Sequence, residues 1–178
     1  MIISAGKEQI MEEGNKEQEQ RRKECLRKSG VLLSSRDYTC SRLREKLMAA
    51  GFEEDVVTST IESLKEARYL DDERYARSFI QAHWEDRSRA RIRLDLESRG
   101  VPSEIASRVL SEETQERGTE AEIRQILKLM KKRRYDPQTA DWDDRNKMQA
   151  FLYRKGYSAA SIRTAMKAES LDSDDFSV

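Results

Sequence analysis

The chain has 178 residues, 38% of them charged and 37% hydrophobic, against about 25% and 45–50% in an average globular domain. With only seven glycines and two prolines it lacks the turns of a hairpin-rich sandwich or barrel, and a collagen-like chain is excluded. Thirty-four basic and thirty-four acidic residues cancel, yet the charge is blocked: residues 53–73 are strongly acidic, and residues 123–135 carry six basic side chains and no acid. Zero net charge therefore does not exclude a polyanionic partner, because binding follows the local field.

In chain order, residues 1–16 read as a loose polar extension. A helix is expected over about 17–34, with Leu26, Leu32 and Leu33 apolar. The motif Leu43-x3-Leu47-x3-Gly51-Phe52 follows, and it recurs as Ile92-x3-Leu96-x3-Gly100-Val101 and Met148-x3-Leu152-x3-Gly156-Tyr157. Apolar residues at i and i+4 share one helix face, and the glycine four residues later can take the left-handed conformation that ends a helix. After each glycine comes another amphipathic stretch, apolar at offsets +6 and +10: Val57 and Ile61, Ala106 and Leu110, Ile162 and Met166. Each pair is preceded by a third helix. The second starts at Asp71 or Asp72 and the last at Thr119, where Thr119-x-x-Glu122 matches a capping box. Ser158 is a candidate N-cap.

The pattern predicts an all-α protein, an elongated, curved array of three tandem three-helix repeats over 17–68, 69–114 and 115–168, with an acidic tail over 169–178. Such units bury little surface alone and are stabilised by stacking.

A search for chemistry returns little. Two cysteines, Cys25 and Cys40, form neither a disulfide framework nor a metal-ligand spacing. The lone histidine, His83, has no evident catalytic partner. No phosphate-binding glycine loop, HExxH or EF-hand motif occurs. Asp71, Asp72 and Glu73 suit a helix cap better than a metal cluster, since neighbouring carboxylates on a helix start do not converge. No apolar run is long enough to span a bilayer and no signal-peptide stretch is seen, so a cytoplasmic location is expected.

Basic residues form the remaining candidate surface. Arg36, Arg42, Arg44 and Lys46 belong to the first repeat. Arg87, Arg89, Arg91, Arg93 and Arg99 belong to the second, with Arg89 and Arg93 expected to be exposed on one helix face. Lys128, Lys131, Lys132, Arg133 and Arg134 belong to the third. A solvated helix surface would also carry such residues, but a stripe of them suits a phosphate backbone, for which arginine's planar fork is well shaped. Tyr38, Tyr75, Trp84 and Tyr135 lie beside these clusters and are expected mainly in the core.

Several segments resemble the RecX family of regulators of the bacterial recombinase RecA. They are Leu33-Ser-Ser-Arg-Asp-Tyr-Thr39, Leu43-Arg-Glu-Lys-Leu47 with Gly51-Phe52, Tyr69-Leu-Asp-Asp-Glu-Arg-Tyr-Ala76, Arg91-Ile-Arg-Leu-Asp-Leu96 with Arg99-Gly-Val101, and Phe151-Leu-Tyr-Arg-Lys-Gly-Tyr157. The likeness covers about residues 25–167. It departs at Ser88 and Ala90, where the family usually has a glycine, and at Asp95-Leu96, where Glu-Leu is common. The resemblance implies a non-enzymatic cytoplasmic protein without a cofactor. It would bind RecA and its single-stranded DNA filament and restrain filament growth, ATP hydrolysis, strand exchange and the SOS co-protease activity. Direct DNA contact and a monomeric state are expected. The rival readings are a RecA-independent helical DNA-binding protein and, less favoured, a nuclease using Asp71, Asp72 and Glu73.

Overall fold

The computed structural model describes the backbone of residues 3–168 and the side chains of residues 16–168. Among the described residues there are nine α-helices and no strand: α1 (Ile3–Ser35), α2 (Cys40–Ala49), α3 (Glu54–Glu66), α4 (Asp72–His83), α5 (Arg89–Ser98), α6 (Ser103–Arg117), α7 (Glu120–Lys132), α8 (Trp142–Arg154) and α9 (Ala159–Ala165). Helix α1 begins at Ile3, earlier than the start expected near residue 17. Residues 3–16 include three glutamates and two lysines, good helix formers, and no proline precedes Pro102. The acidic tail over 169–178 lies outside the described residues.

The chain forms two compact units. Unit 1 runs to Tyr75 and includes Arg99–Val101; unit 2 comprises Ala76–Ser98 and the chain from Pro102 onward. In unit 1, α1, α2 and α3 pack on one another. Their core gathers Leu43 and Leu47 from α2, Val57, Ile61 and Leu64 from α3, Cys25 from α1, and Leu70. On α1 the inward positions are Cys25 and Ser29, one turn apart, while Leu26 is partly exposed and Leu32 and Leu33 pack at the margin. Thr39 starts α2 as its N-cap: its Oγ1 accepts the Arg42 N–H at 3.2 Å and donates to the Arg99 carbonyl at 2.7 Å.

Unit 2 holds most of the second triplet and all of the third. In the first of these, α5 packs on α6, and Ile80, Trp84, Ile92, Leu96, Ala106 and Val109 are buried. In the second, α7 and α8 pack on α9 around Ile126, Leu127, Met130, Leu152 and Ile162. The recurring apolar pairs thus occupy equivalent core sites, each fully buried leucine contributing about 2 kcal/mol.

Gly51, Gly100 and Gly156 end α2, α5 and α8 with φ of 86°, 83° and 84°. The return is closed the same way at Gly51 and Gly156. Gly156 N–H donates to the Tyr153 carbonyl and Tyr157 N–H to the Leu152 carbonyl, as Gly51 and Phe52 do to Met48 and Leu47. Gly156 carries a second constraint, since a Cβ there would lie 2.7 Å from the Ala90 Cβ and 3.1 Å from the Ser88 Oγ. Beside it, Ser88 donates from Oγ to the Lys155 carbonyl at 2.6 Å, so the α8 end is held against the α5 start.

Two capping expectations divide. Ser158 does cap α9, accepting the Ser161 N–H at 3.1 Å. The capping box at α7 is corrected. Thr119 makes no side-chain cap bond, and Glu122 instead accepts from the hydroxyls of Ser158 at 2.8 Å and Ser161 at 2.6 Å. Glu122 is only 3% exposed in its side chain, and a buried carboxylate is stabilised by several strong donors more than by one local N–H.

Candidate nucleic-acid interface

Most basic candidates of the second triplet have an acidic partner within unit 2. Arg87 and Arg91 converge on Asp95 at 2.6 and 2.9 Å, and Arg93 lies 3.7 Å from Glu97. Arg89 is corrected from an exposed stripe residue to a structural one. Its side chain is 18% exposed, it sits 3.4 Å from Glu122, and it donates to the Gly118 carbonyl at 2.8 Å. Its guanidinium also lies 5.4 Å from the Trp84 ring, with Arg117 at 5.5 Å. Burying Trp84 pulled Arg89 inward, because a guanidinium stacks on an indole and loses little hydration energy in doing so.

In unit 1, Arg36 stacks on Tyr38 at 4.7 Å, Arg42 pairs with Glu45 at 2.7 Å and Arg44 donates to the Thr58 hydroxyl at 2.9 Å. Arg99 is engaged as well. Lys46 is exposed and forms no ion pair with the described residues.

The end of α7 is different. Lys128, Lys131 and Lys132 fall within one turn of each other on its exposed face, continuing into Arg133 and Arg134. Lys128, Lys132 and Arg134 make no ion pair with any described residue; Arg133 lies 3.7 Å over the Phe151 ring, and Lys131 is engaged. This cluster sits at the helix's negative dipole end, which favours cations. Tyr135 belongs to the core, as does Trp84.

Sequence reasoning passed over Lys147, which faces the same region from α8, and the backbone of Arg134, whose φ is 55°. Arg134 occupies the place that glycine takes after α2 and α8: its N–H donates to the Lys131 carbonyl and that of Tyr135 to the Met130 carbonyl, both at 3.0 Å. Arg68, after α3, does the same with φ of 60°. The signal that could have found them is a helix end of this type with arginine in the glycine position. Trp142, the first residue of α8, is 76% exposed and was also missed.

Other candidate chemistry resolves into structure. Asp71 Oδ1 accepts the N–H groups of Glu73 and Arg74, and Asp72 Oδ1 accepts that of Cys40, so the acidic run is a cap. Among the described residues no cluster of His, Cys, Asp and Glu is arranged to hold a metal ion. The His83 ring meets Phe79 edge-on at 4.4 Å. Burial, with the Asp72 carboxylate beside it, pushes the Cys40 thiol up to about 11, and burial raises Cys25 too, so both are poor nucleophiles at neutral pH. No helix among the described residues is long and apolar enough to cross a membrane.

Together these features define an all-α protein of tandem three-helix units with an uncompensated basic helix end. Family models for the second and third three-helix domains of RecX match residues 71–110 and 120–166. The chain is 37% identical to the regulatory protein RecX of Trichlorobacter lovleyi over 74% of its own length and 86% of that relative's. It is 31% identical to that of Caldanaerobacter subterraneus over 76% of its own length, spanning 65% of the relative. The crystal structure of RecX from Lactobacillus salivarius superposes with a TM-score of 0.71 at 20% identity, covering 83% of this chain and 96% of that one. The chain belongs to the RecX family of regulatory proteins.

Proposed function

We propose that the protein regulates the recombinase RecA, binding RecA and its filament on single-stranded DNA, and that it does so without catalysing a reaction. Its effect is to restrain filament extension, ATP hydrolysis, strand exchange and SOS co-protease activity in the cytoplasm. Membership in a family of regulatory proteins supports the regulatory role. The observation that carries the nucleic-acid part is the α7 end, where Lys128, Lys132 and Arg134 have no acidic partner among the described residues. Charges left unneutralised in the free protein release counterions when they meet phosphate. Arg89, held against Glu122 with its side chain 18% exposed, is the α5 arginine least available to such a partner. The mechanism is selective binding: a protein that favours one filament state shifts the population toward it.

The test is co-sedimentation with RecA, with and without single-stranded DNA, and with duplex DNA alone. The protein should pellet with the RecA–DNA filament. Pelleting with bare duplex and not with the filament would favour the RecA-independent reading and contradict this one.

A further inference from the structure

Helix α8 carries a line of side chains that its own unit does not bury. Trp142, Asn146, Gln149 and Tyr153 follow one another at 4, 3 and 4 residues, the spacing of a coiled-coil seam, so they share one face. Trp142 is 76% and Tyr153 46% exposed, Asn146 is exposed and Gln149 half-buried, while Met148 and Leu152 enter the core from another side. The line holds no charge, in a chain that is 38% charged. Beside it run Asp143 and Arg154, eleven residues apart and therefore also on one side of the helix. Other charges of α8 are engaged locally. Arg145 donates to the carbonyls of Ala140 and Pro137, both at 3.1 Å, and Lys147 lies 4.0 Å from Asp144. Asp143 and Arg154 make no ion pair with any described residue. Roughly 16 Å of helix separates them, so they do not neutralise each other within one chain.

A partner of one charge sign would satisfy only one end of this face. The phosphates of a nucleic acid would suit Arg154 but meet Asp141, Asp143 and Asp144 around Trp142. A second copy run parallel would set Asp143 against Asp143 and Arg154 against Arg154. A second copy run antiparallel answers both ends at once. We propose that α8 is the contact of a symmetric homodimer, its two copies packed antiparallel about a two-fold axis near the middle of the helix. Trp142 then lies against the partner's Tyr153, Asn146 against the partner's Gln149, and Asp143 within reach of the partner's Arg154. The symmetry makes each of these contacts twice. Antiparallel helices also set the positive dipole end of one beside the negative end of the other. Asn146 and Gln149 at the centre of the seam fix its register at a cost in stability. One helix pair is a small interface, so the expected Kd is about 1–100 µM. The inference is independent of the RecA reading, and it replaces the monomer expected from the family resemblance.

The experiment is sedimentation equilibrium of the full chain at low salt, over concentrations that bracket the expected Kd. The wild type should pass from monomer to dimer. Trp142→Ala, at an exposed position, should weaken the dimer about tenfold or more while helicity and urea midpoint stay unchanged. Asp143→Arg alone and Arg154→Asp alone should each weaken it about fivefold or more, because each sets two like-charged pairs across the axis. Mixing these two variants should restore association to near the wild-type level, since every pair between the two chains is then opposite in sign. Either substitution also removes a charge that suits its end of the helix dipole, but mixing would not mend that loss. A wild type that stays monomeric throughout, a dimer that Trp142→Ala leaves intact, or a mixture no more associated than its parts would overturn the proposal.

Discussion

Gly51 and Gly156 share a backbone conformation and differ in their surroundings. A Cβ at Gly51 would meet nothing within 4 Å, whereas at Gly156 it would strike Ala90 and Ser88. Left-handed geometry costs an L-residue about 1–2 kcal/mol, and overpacking typically adds about 1–3 kcal/mol. Gly51→Ala should therefore lower the unfolding free energy by about 1 kcal/mol and Gly156→Ala by roughly twice that or more, read from urea denaturation of each variant. Equal losses would mean that the Ser88–Ala90 contact yields freely. At this scale the glycine's role in ending each helix was legible from its i+4 spacing after the apolar pair. Its second role at Gly156 was not, because Ala90 and Ser88 are more than sixty residues away.

Among the elements, α4 and α6 are tied by charge. Arg77 reaches Glu112 at 2.5 Å and Glu113 at 3.3 Å. The Arg77 guanidinium, with Arg108 behind it, holds the Glu112 carboxyl below its ordinary value. A folded-state pKa that is depressed gives stabilisation that is present above the unfolded value, near 4.3, and is lost as pH falls through the folded value. Arg77→Met should lower the urea midpoint at pH 7, and its difference from the wild type should shrink as pH falls below about 4 and the Glu112 carboxyl takes up its proton. A loss of the same size at neutral and at low pH would assign the effect to packing of the arginine stem. The helices themselves were readable from apolar periodicity, and so were the pairs Arg91–Asp95 and Arg93–Glu97, which are spaced i, i+4. Arg89 was misread because its acceptor, Glu122, comes from another triplet. The capping box failed for the same reason: the motif specifies two side chains that could bond locally, and burial gave Glu122 stronger donors from α9.

For the molecule as a whole, zero net charge conceals a difference between the triplets in how their basic side chains are paired. The tandem triplets, their core pairs and their family are written in the sequence. Which cations are free is not, since freedom depends on where distant carboxylates fall once the chain has folded. Five of the basic candidates of α5 and its flanks serve internal contacts or are otherwise engaged, and the third triplet keeps Lys128, Lys132 and Arg134 uncommitted. The direct test of that difference is RecA-dependent ATP hydrolysis on single-stranded DNA, titrated with the wild-type protein and with the triple variant Lys128→Glu, Lys132→Glu, Arg134→Glu. The wild type should suppress turnover, and the variant, with unchanged helicity, should need about tenfold more protein or fail altogether. Suppression by both at the same concentration would contradict the account.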